Sequence, residues 1–161
     1  MKKLLIVALV ILVAVGLVFV GFNIGNKNSN SSTNTSSNNQ SSSGTILNYS
    51  NQGLTKVGPD IYNQTNATQL LLSNNLLTSL PSEMGRMTKL TVLKLNDNKL
   101  EGSLIGEIRL MSNLKELDAS NNNMTGLPAE IGQLSKLETL NLANNKLTGL
   151  PNELSNAKAL K

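Results

Sequence analysis

One spelling returns at a fixed interval along this chain. From Leu114 it reads Leu114-Lys115-Glu116-Leu117-Asp118-Ala119, then Asn122, Leu127-Pro128, Ile131 and Leu134. At Leu137 it starts again, with Leu140, Leu142, Asn145, Leu147, Leu150-Pro151 and Leu154. Leu114 to Leu137 is 23 residues, and Leu137 to Leu160 is 23 more. A period in the twenties means one supersecondary unit repeated, in which no single unit can bury its own apolar edge and stacked units can.

The spelling itself predicts the shape of each unit. Within Leu-x-x-Leu-x-Leu the last two leucines are two apart, so both face one side of a short strand while the residues between them face solvent. The Asn that follows bends the chain, and the next Leu returns to the core. Leu-Pro then opens a return segment, where a Pro is tolerated at a helix start because its missing N–H has no partner there. Ile or Leu three residues later fits a short helical turn.

Reading backwards by the same period gives five units. Repeat two runs from Ala67 to Lys89 with Leu70, Leu72, Asn75, Leu77, Leu80-Pro81, Met84 and Met87 in the expected slots. Repeat three, Leu90 to Asn113, is one residue longer and lacks the Pro, so a local bulge is expected on its return side near Gly102-Ser103. Repeat four carries Ala119 in a Leu slot, which predicts a thinner core there. The first repeat is degenerate, with Leu47, Tyr49, Gln52, Leu54 and Val57 in the slots and Gly58-Pro59 replacing Leu-Pro. Terminal repeats are commonly atypical. The sequence ends at Lys161 where a sixth strand would begin, so the leucines of the fifth repeat are expected to form an open apolar end. The chain then reads as a short or truncated solenoid, or as one that pairs with itself through that end.

These residues resemble the leucine-rich repeat family, with units close to Leu-x-x-Leu-x-Leu-x-x-Asn-x-Leu-x-x-Leu-Pro-x-x-Ile-x-x-Leu over residues 44–161. The resemblance implies an α/β solenoid, with a parallel β-sheet on the concave face and short helices or 3-10 turns on the convex face. It also implies that the recurrent Asn (Asn75, Asn98, Asn122 and Asn145, with Gln52 in the first repeat) bonds backbone groups of adjacent turns, and that binding of another protein uses the concave face.

By spacing, the solvent-facing positions of that sheet are Gln69, Leu71, Ser73 and Asn74; Val92, Lys94, Asn96 and Asp97; Glu116, Asp118, Ser120 and Asn121; and Thr139, Asn141, Ala143 and Asn144. The core of the expected protein-binding site is Gln69, Leu71, Ser73, Val92, Lys94, Asn96, Glu116, Asp118, Ser120, Thr139 and Asn141. Lys94 and Asp118 fall in equivalent slots of adjacent strands and are expected to pair. The face carries no Trp, Tyr, Phe or Arg, so any interface there should be polar or weak. A second row, Asp60, Glu83, Glu107, Glu130 and Glu153, places one carboxylate in the first turn of each return helix, where the helix dipole favours it.

Upstream of the repeats the composition changes twice. Leu4 to Phe22 is an unbroken apolar run preceded by Lys2 and Lys3. As a helix it would measure about 28 Å, close to the hydrocarbon thickness of a bilayer. The flanking lysines favour an inside N-terminus with the remainder translocated. The run exceeds the core of a cleaved signal, and Asn23-Ile24-Gly25-Asn26 offers no small-x-small cleavage site. Residues 1–25 therefore read as a transmembrane signal-anchor, the alternative being secretion after cleavage. Residues 26–43 hold Asn, Ser and Thr with no apolar side chain, and read as a disordered tether. Asn30, Asn34 and Asn39 open N-glycosylation patterns that so Asn-rich a stretch would contain by chance.

The chain has no Cys and no His. That excludes a disulfide framework, Cys/His zinc sites, Cys nucleophiles and imidazole acid–base chemistry. The formal charge is +4, and Lys2, Lys3 and Lys27 lie outside the repeats, which are close to neutral and lack a nucleic-acid footprint. No phosphate-binding glycine loop opens a helix. The sequence points to a non-enzymatic protein with no cofactor or metal, held to a membrane by Leu4–Phe22, whose partner is another protein on the extracytoplasmic side. The alternative is a structural or adhesive surface protein that self-associates through its C-terminal edge.

Overall fold

The computed structural model describes residues 44–161. The apolar run and the Asn/Ser/Thr-rich stretch lie outside the described residues. Among the described residues no helix is long and apolar enough to cross a membrane.

Five short strands form a parallel sheet in the order β1-β2-β3-β5-β7: β1 Thr45–Asn48, β2 Ala67–Leu71, β3 Val92–Lys94, β5 Glu116–Asp118 and β7 Thr139–Asn141. The register repeats with the sequence. Leu47, Leu70, Leu93, Leu117 and Leu140 stand side by side, as do Ile46, Gln69, Val92, Glu116 and Thr139. Because side chains alternate along a strand, the first row points inward and the second outward. Leu70, Leu93 and Leu117 are fully buried.

The return side is built from 3-10 helices, Ser82–Arg86, Gly106–Leu110, Ala129–Gln133 and Asn152–Asn156, with one α-helix, α1 Pro59–Tyr62, in the first repeat. Pro81, Pro128 and Pro151 are extended and sit just before their helices, whereas Pro59 of α1 lies inside the first turn. The backbone then closes in three-residue steps: the Met84 N–H donates to the Pro81 carbonyl, Met87 to Met84, and Leu90 to Met87. A 3-10 helix rises about 2.0 Å per residue against 1.5 Å for an α-helix. So short a repeat reaches across the return side with fewer residues that way. Asp60, Glu83, Glu107, Glu130 and Glu153 each occupy the first turn.

The apolar side chains of the repeats form one continuous core from Val57 to Leu137, including Met84, Met87, Ile108, Met111, Met124 and Ile131. Ala119 lies within it, fully buried. The extra residue of repeat three coincides with Gly102, whose φ of +65° only glycine adopts freely. There the chain adds a two-stranded parallel sheet, β4 Glu101–Gly102 against β6 Asn123–Met124.

Between strand and return segment runs a ladder of asparagines. Asn98 Nδ2 donates to the Leu72 carbonyl of the preceding turn and to its own Leu95 carbonyl, both at 2.9 Å, while its Oδ1 accepts the Leu77 N–H at 3.1 Å. Asn75, Asn122 and Asn145 repeat the pattern. Gln52 does not: its side chain is exposed, and its backbone N–H donates to Asn75 Oδ1. Among the described residues no buried side-chain nitrogen or oxygen lacks a partner.

Candidate protein-binding face

The outward row of the five-stranded sheet divides into two halves of different chemistry. Toward the N-terminal edge stand Ile46, Gln69, Leu71 and Val92, with Ile46 55% exposed and the other three half-buried. Toward the C-terminal edge stand Lys94, Glu116, Asp118, Thr139 and Asn141. Leu71, Lys94, Asp118 and Asn141 are directly opposite one another across β2, β3, β5 and β7.

Lys94 is the hub of the polar half. Its ammonium bonds Glu116 Oε1 and lies 3.7 Å from Asp118 Oδ2. The pairing expected with Asp118 is therefore present, but as the longer arm of a fork. The diagonal Glu116 is reached more closely because the Glu carboxylate sits one methylene further from its backbone. Asp118 is the more sheltered acid, with a 19% exposed side chain against 39% for Glu116. Burial works against its charge. The Ser120 hydroxyl (2.7 Å) and backbone N–H (3.1 Å), both donating to Asp118 Oδ1, together with Lys94 and Asn141, outweigh that and hold its carboxyl below the ordinary value.

Ser73, Asn96 and Ser120 lie past the strand ends, where they shape the turn. Ser120 is buried (6% exposed). Ser73 Oγ donates to Asn96 Oδ1 at 2.7 Å, and Asn96 Nδ2 donates to Asp97 Oδ2 at 2.6 Å. Asn48 and Asn141 close Asx turns like that of Asp118, each accepting the N–H two residues on. Asn74, Asp97, Asn121 and Asn144, assigned by spacing to the sheet face, instead take left-handed φ values of 54–57° in the turn that follows. Asn121 Nδ2 donates to Asp97 Oδ1, and Asn144 Nδ2 to Asn121 Oδ1.

Two features went unread in the sequence. Ile46 belongs to the outward row; alternation around Leu47 would have placed it there. Beside the face, Glu138 binds Lys161 at 2.7 Å and Lys115 at 3.8 Å, and these bonds hold its carboxyl below the ordinary value. Among the described residues no group of acidic side chains could hold a metal ion.

Residues 112–156 match the family model for leucine rich repeats in two copies. No curated protein matches the sequence. Among solved structures, a leucine-rich repeat protein of Leptospira interrogans is 36% identical with a TM-score of 0.59, over 71% of this chain and 35% of that one. The ectodomain of the receptor kinase SOBIR1 from Arabidopsis thaliana is 31% identical with a TM-score of 0.62, over 71% of this chain and 64% of that one. The plant peptide hormone receptor RGFR1, solved in complex with RGF2, is 30% identical with a TM-score of 0.61, over 65% of this chain and 17% of that one. The chain thus spans less than two thirds of each. With its parallel ladder, its asparagine ladder and its 3-10 return turns, the described region has a leucine-rich-repeat-like fold, and residues 112–156 match that family's model.

Proposed function

We propose that this chain is a non-enzymatic, membrane-anchored module that binds another protein outside the cytoplasm through the concave face of its sheet. The observation that carries the reading is the open outward row of the five strands, a broad surface left uncovered by any other element among the described residues. The receptors among its structural relatives, the SOBIR1 ectodomain and the peptide hormone receptor RGFR1 in complex with RGF2, support the same use of the fold. The anchor and the tether rest on the sequence of residues 1–43, in the order apolar run, polar stretch, repeats.

A photo-crosslinking residue at Val92, on the sheet, and another at Glu107, on the return side, test this in the native membrane. A discrete adduct from Val92 and none from Glu107 is the expected result; equal capture from both positions would remove the concave face from consideration. Protease shaving of intact cells should remove the repeats and spare the anchor. Repeats that resist shaving but are cut after lysis would reverse the topology.

A second reading, self-association through the last repeat, is favoured by one observation. Leu150 is 55% exposed, and Leu140, Leu142, Leu147 and Leu154 are only half-buried, whereas Leu117, Ala119, Met124 and Ile131, the counterparts of these last four in the preceding repeat, are buried. Leu150→Glu on a folded background should lower the oligomeric mass if this end pairs with another copy; an unchanged mass closes that route.

A further inference from the structure

The two halves of the concave row differ in what they would accept. Ile46 and Val92 flank Leu71 on the diagonal, one strand to either side, giving three apolar side chains across β1 to β3, with the half-buried Gln69 directly between Ile46 and Val92. On β5 next to it, Glu116 and Asp118 present two carboxylates to a single cation, Lys94. Lys94 takes one oxygen of Glu116 and approaches Asp118 Oδ2, while Asp118 Oδ1 is occupied by Ser120. Among the described residues one negative charge is left over, and the second Glu116 oxygen has no hydrogen bond. Lys115, just before β5, and Lys161 are engaged with Glu138 instead.

Resting on the concave-face reading above, we infer that the partner presents an extended segment carrying an apolar side chain and, four residues away, a Lys or Arg. The apolar group sits over Ile46, Leu71 and Val92, and the cation pairs with Glu116 and Asp118. Strand spacing fixes the interval. The apolar surface lies between two and three steps of about 4.8 Å from β5, roughly 10 Å from Leu71 and 14 Å from Ile46, and four residues of extended chain cover about 13 Å, within that range. An even separation is needed for both side chains to point at the same sheet, and two residues, about 7 Å, would fall short of either distance. A guanidinium is the better cation, since it can reach both carboxylates at once without displacing Lys94.

Synthetic peptides read this out on the full chain, uniformly labelled with 15N in detergent micelles. Acetyl-Leu-Ser-Thr-Ser-Arg-amide should shift the backbone amides of Leu71, Val92, Glu116 and Asp118. Replacing the Arg by Glu should weaken binding by about five-fold or more, as expected for one partly exposed charge pair exchanged for a repulsion. Glu116→Gln with Asp118→Asn should erase the preference for Arg, and Leu71→Ser should weaken both peptides alike. Arg and Glu peptides that shift the concave amides equally would overturn this inference while leaving the concave-face reading intact. Shifts confined to the return side, or none at any peptide concentration together with no Val92 crosslink, would overturn both.

Discussion

Asn98 and Leu72, 26 residues apart in the chain, are joined at 2.9 Å by a hydrogen bond from the side-chain amide to the backbone carbonyl. The same side chain accepts the Leu77 N–H, a buried donor that the preceding turn would otherwise leave unpaired, whereas the Leu72 carbonyl also accepts Asn75 Nδ2 at 2.8 Å.

Asn98→Ala should therefore cost about 1–3 kcal/mol, because it orphans the buried Leu77 N–H, while the Leu72 and Leu95 carbonyls keep Asn75 and Asn122. Asn145→Ala, where the same bonds are partly exposed to water, should cost about half as much. Urea unfolding followed by circular dichroism compares the two, and loss of hydrogen-exchange protection at the Leu77 amide identifies the cause. Equal costs at both positions would mean the bonds count for less than the packing around them.

Asn121 combines a left-handed φ of 54° with side-chain bonds to Asp97 and Asn144. Asn121→Ala loses the bonds and keeps a Cβ without the polar side chain that lets Asn tolerate that conformation, a penalty of about 1 kcal/mol. Asn121→Gly loses the bonds alone. The glycine variant should melt at the higher temperature; the reverse order would show that the backbone shifts out of the left-handed region on substitution.

Gly132 allows the last two repeats to approach. A Cβ built there would stand 2.0 Å from the Glu153 carbonyl oxygen, a backbone atom that cannot swing aside. Gly132→Ala should displace the Asn152–Asn156 segment, at about 1–3 kcal/mol. Amides from residue 139 onward should exchange faster with solvent while those of repeats two and three are unchanged. Uniformly faster exchange would instead mean the solenoid unfolds as one unit.

The titration of Asp118 carries a sign that can be checked. Its carboxyl is held below the ordinary 3.8 in the folded chain. The stabilisation is thus complete above about pH 4 and is lost as pH falls through the depressed folded value. Ser120→Ala removes the hydroxyl bond and leaves the backbone N–H, so the carboxyl should titrate nearer its ordinary value. A carbon-detected NMR titration of Asp118 measures it, and an unchanged midpoint would assign the depression to the backbone N–H, Lys94 and Asn141 rather than to the Ser120 hydroxyl.

The periodic spelling alone determined the stacked turns, the parallel strands and the inward rows of Leu70, Leu93 and Leu117. Each depends only on residue spacing within a repeat and on alternation along a strand. It also placed Gln69, Leu71, Val92, Lys94, Glu116, Asp118, Thr139 and Asn141 on one face for the same reason. What only the tertiary structure decided lies between repeats: that Lys94 closes more tightly on Glu116 than on Asp118, that Ser120 turns inward to hold Asp118, that Asp97 and its equivalents leave the sheet for a left-handed turn, and that Gly102 starts a second small ladder. These choices turn on side-chain reach and backbone dihedrals across turns stacked about 4.8 Å apart, where one methylene or one φ changes the partner. A periodic pattern fixes which residues are neighbours, and the packed turns determine which of those neighbours bond.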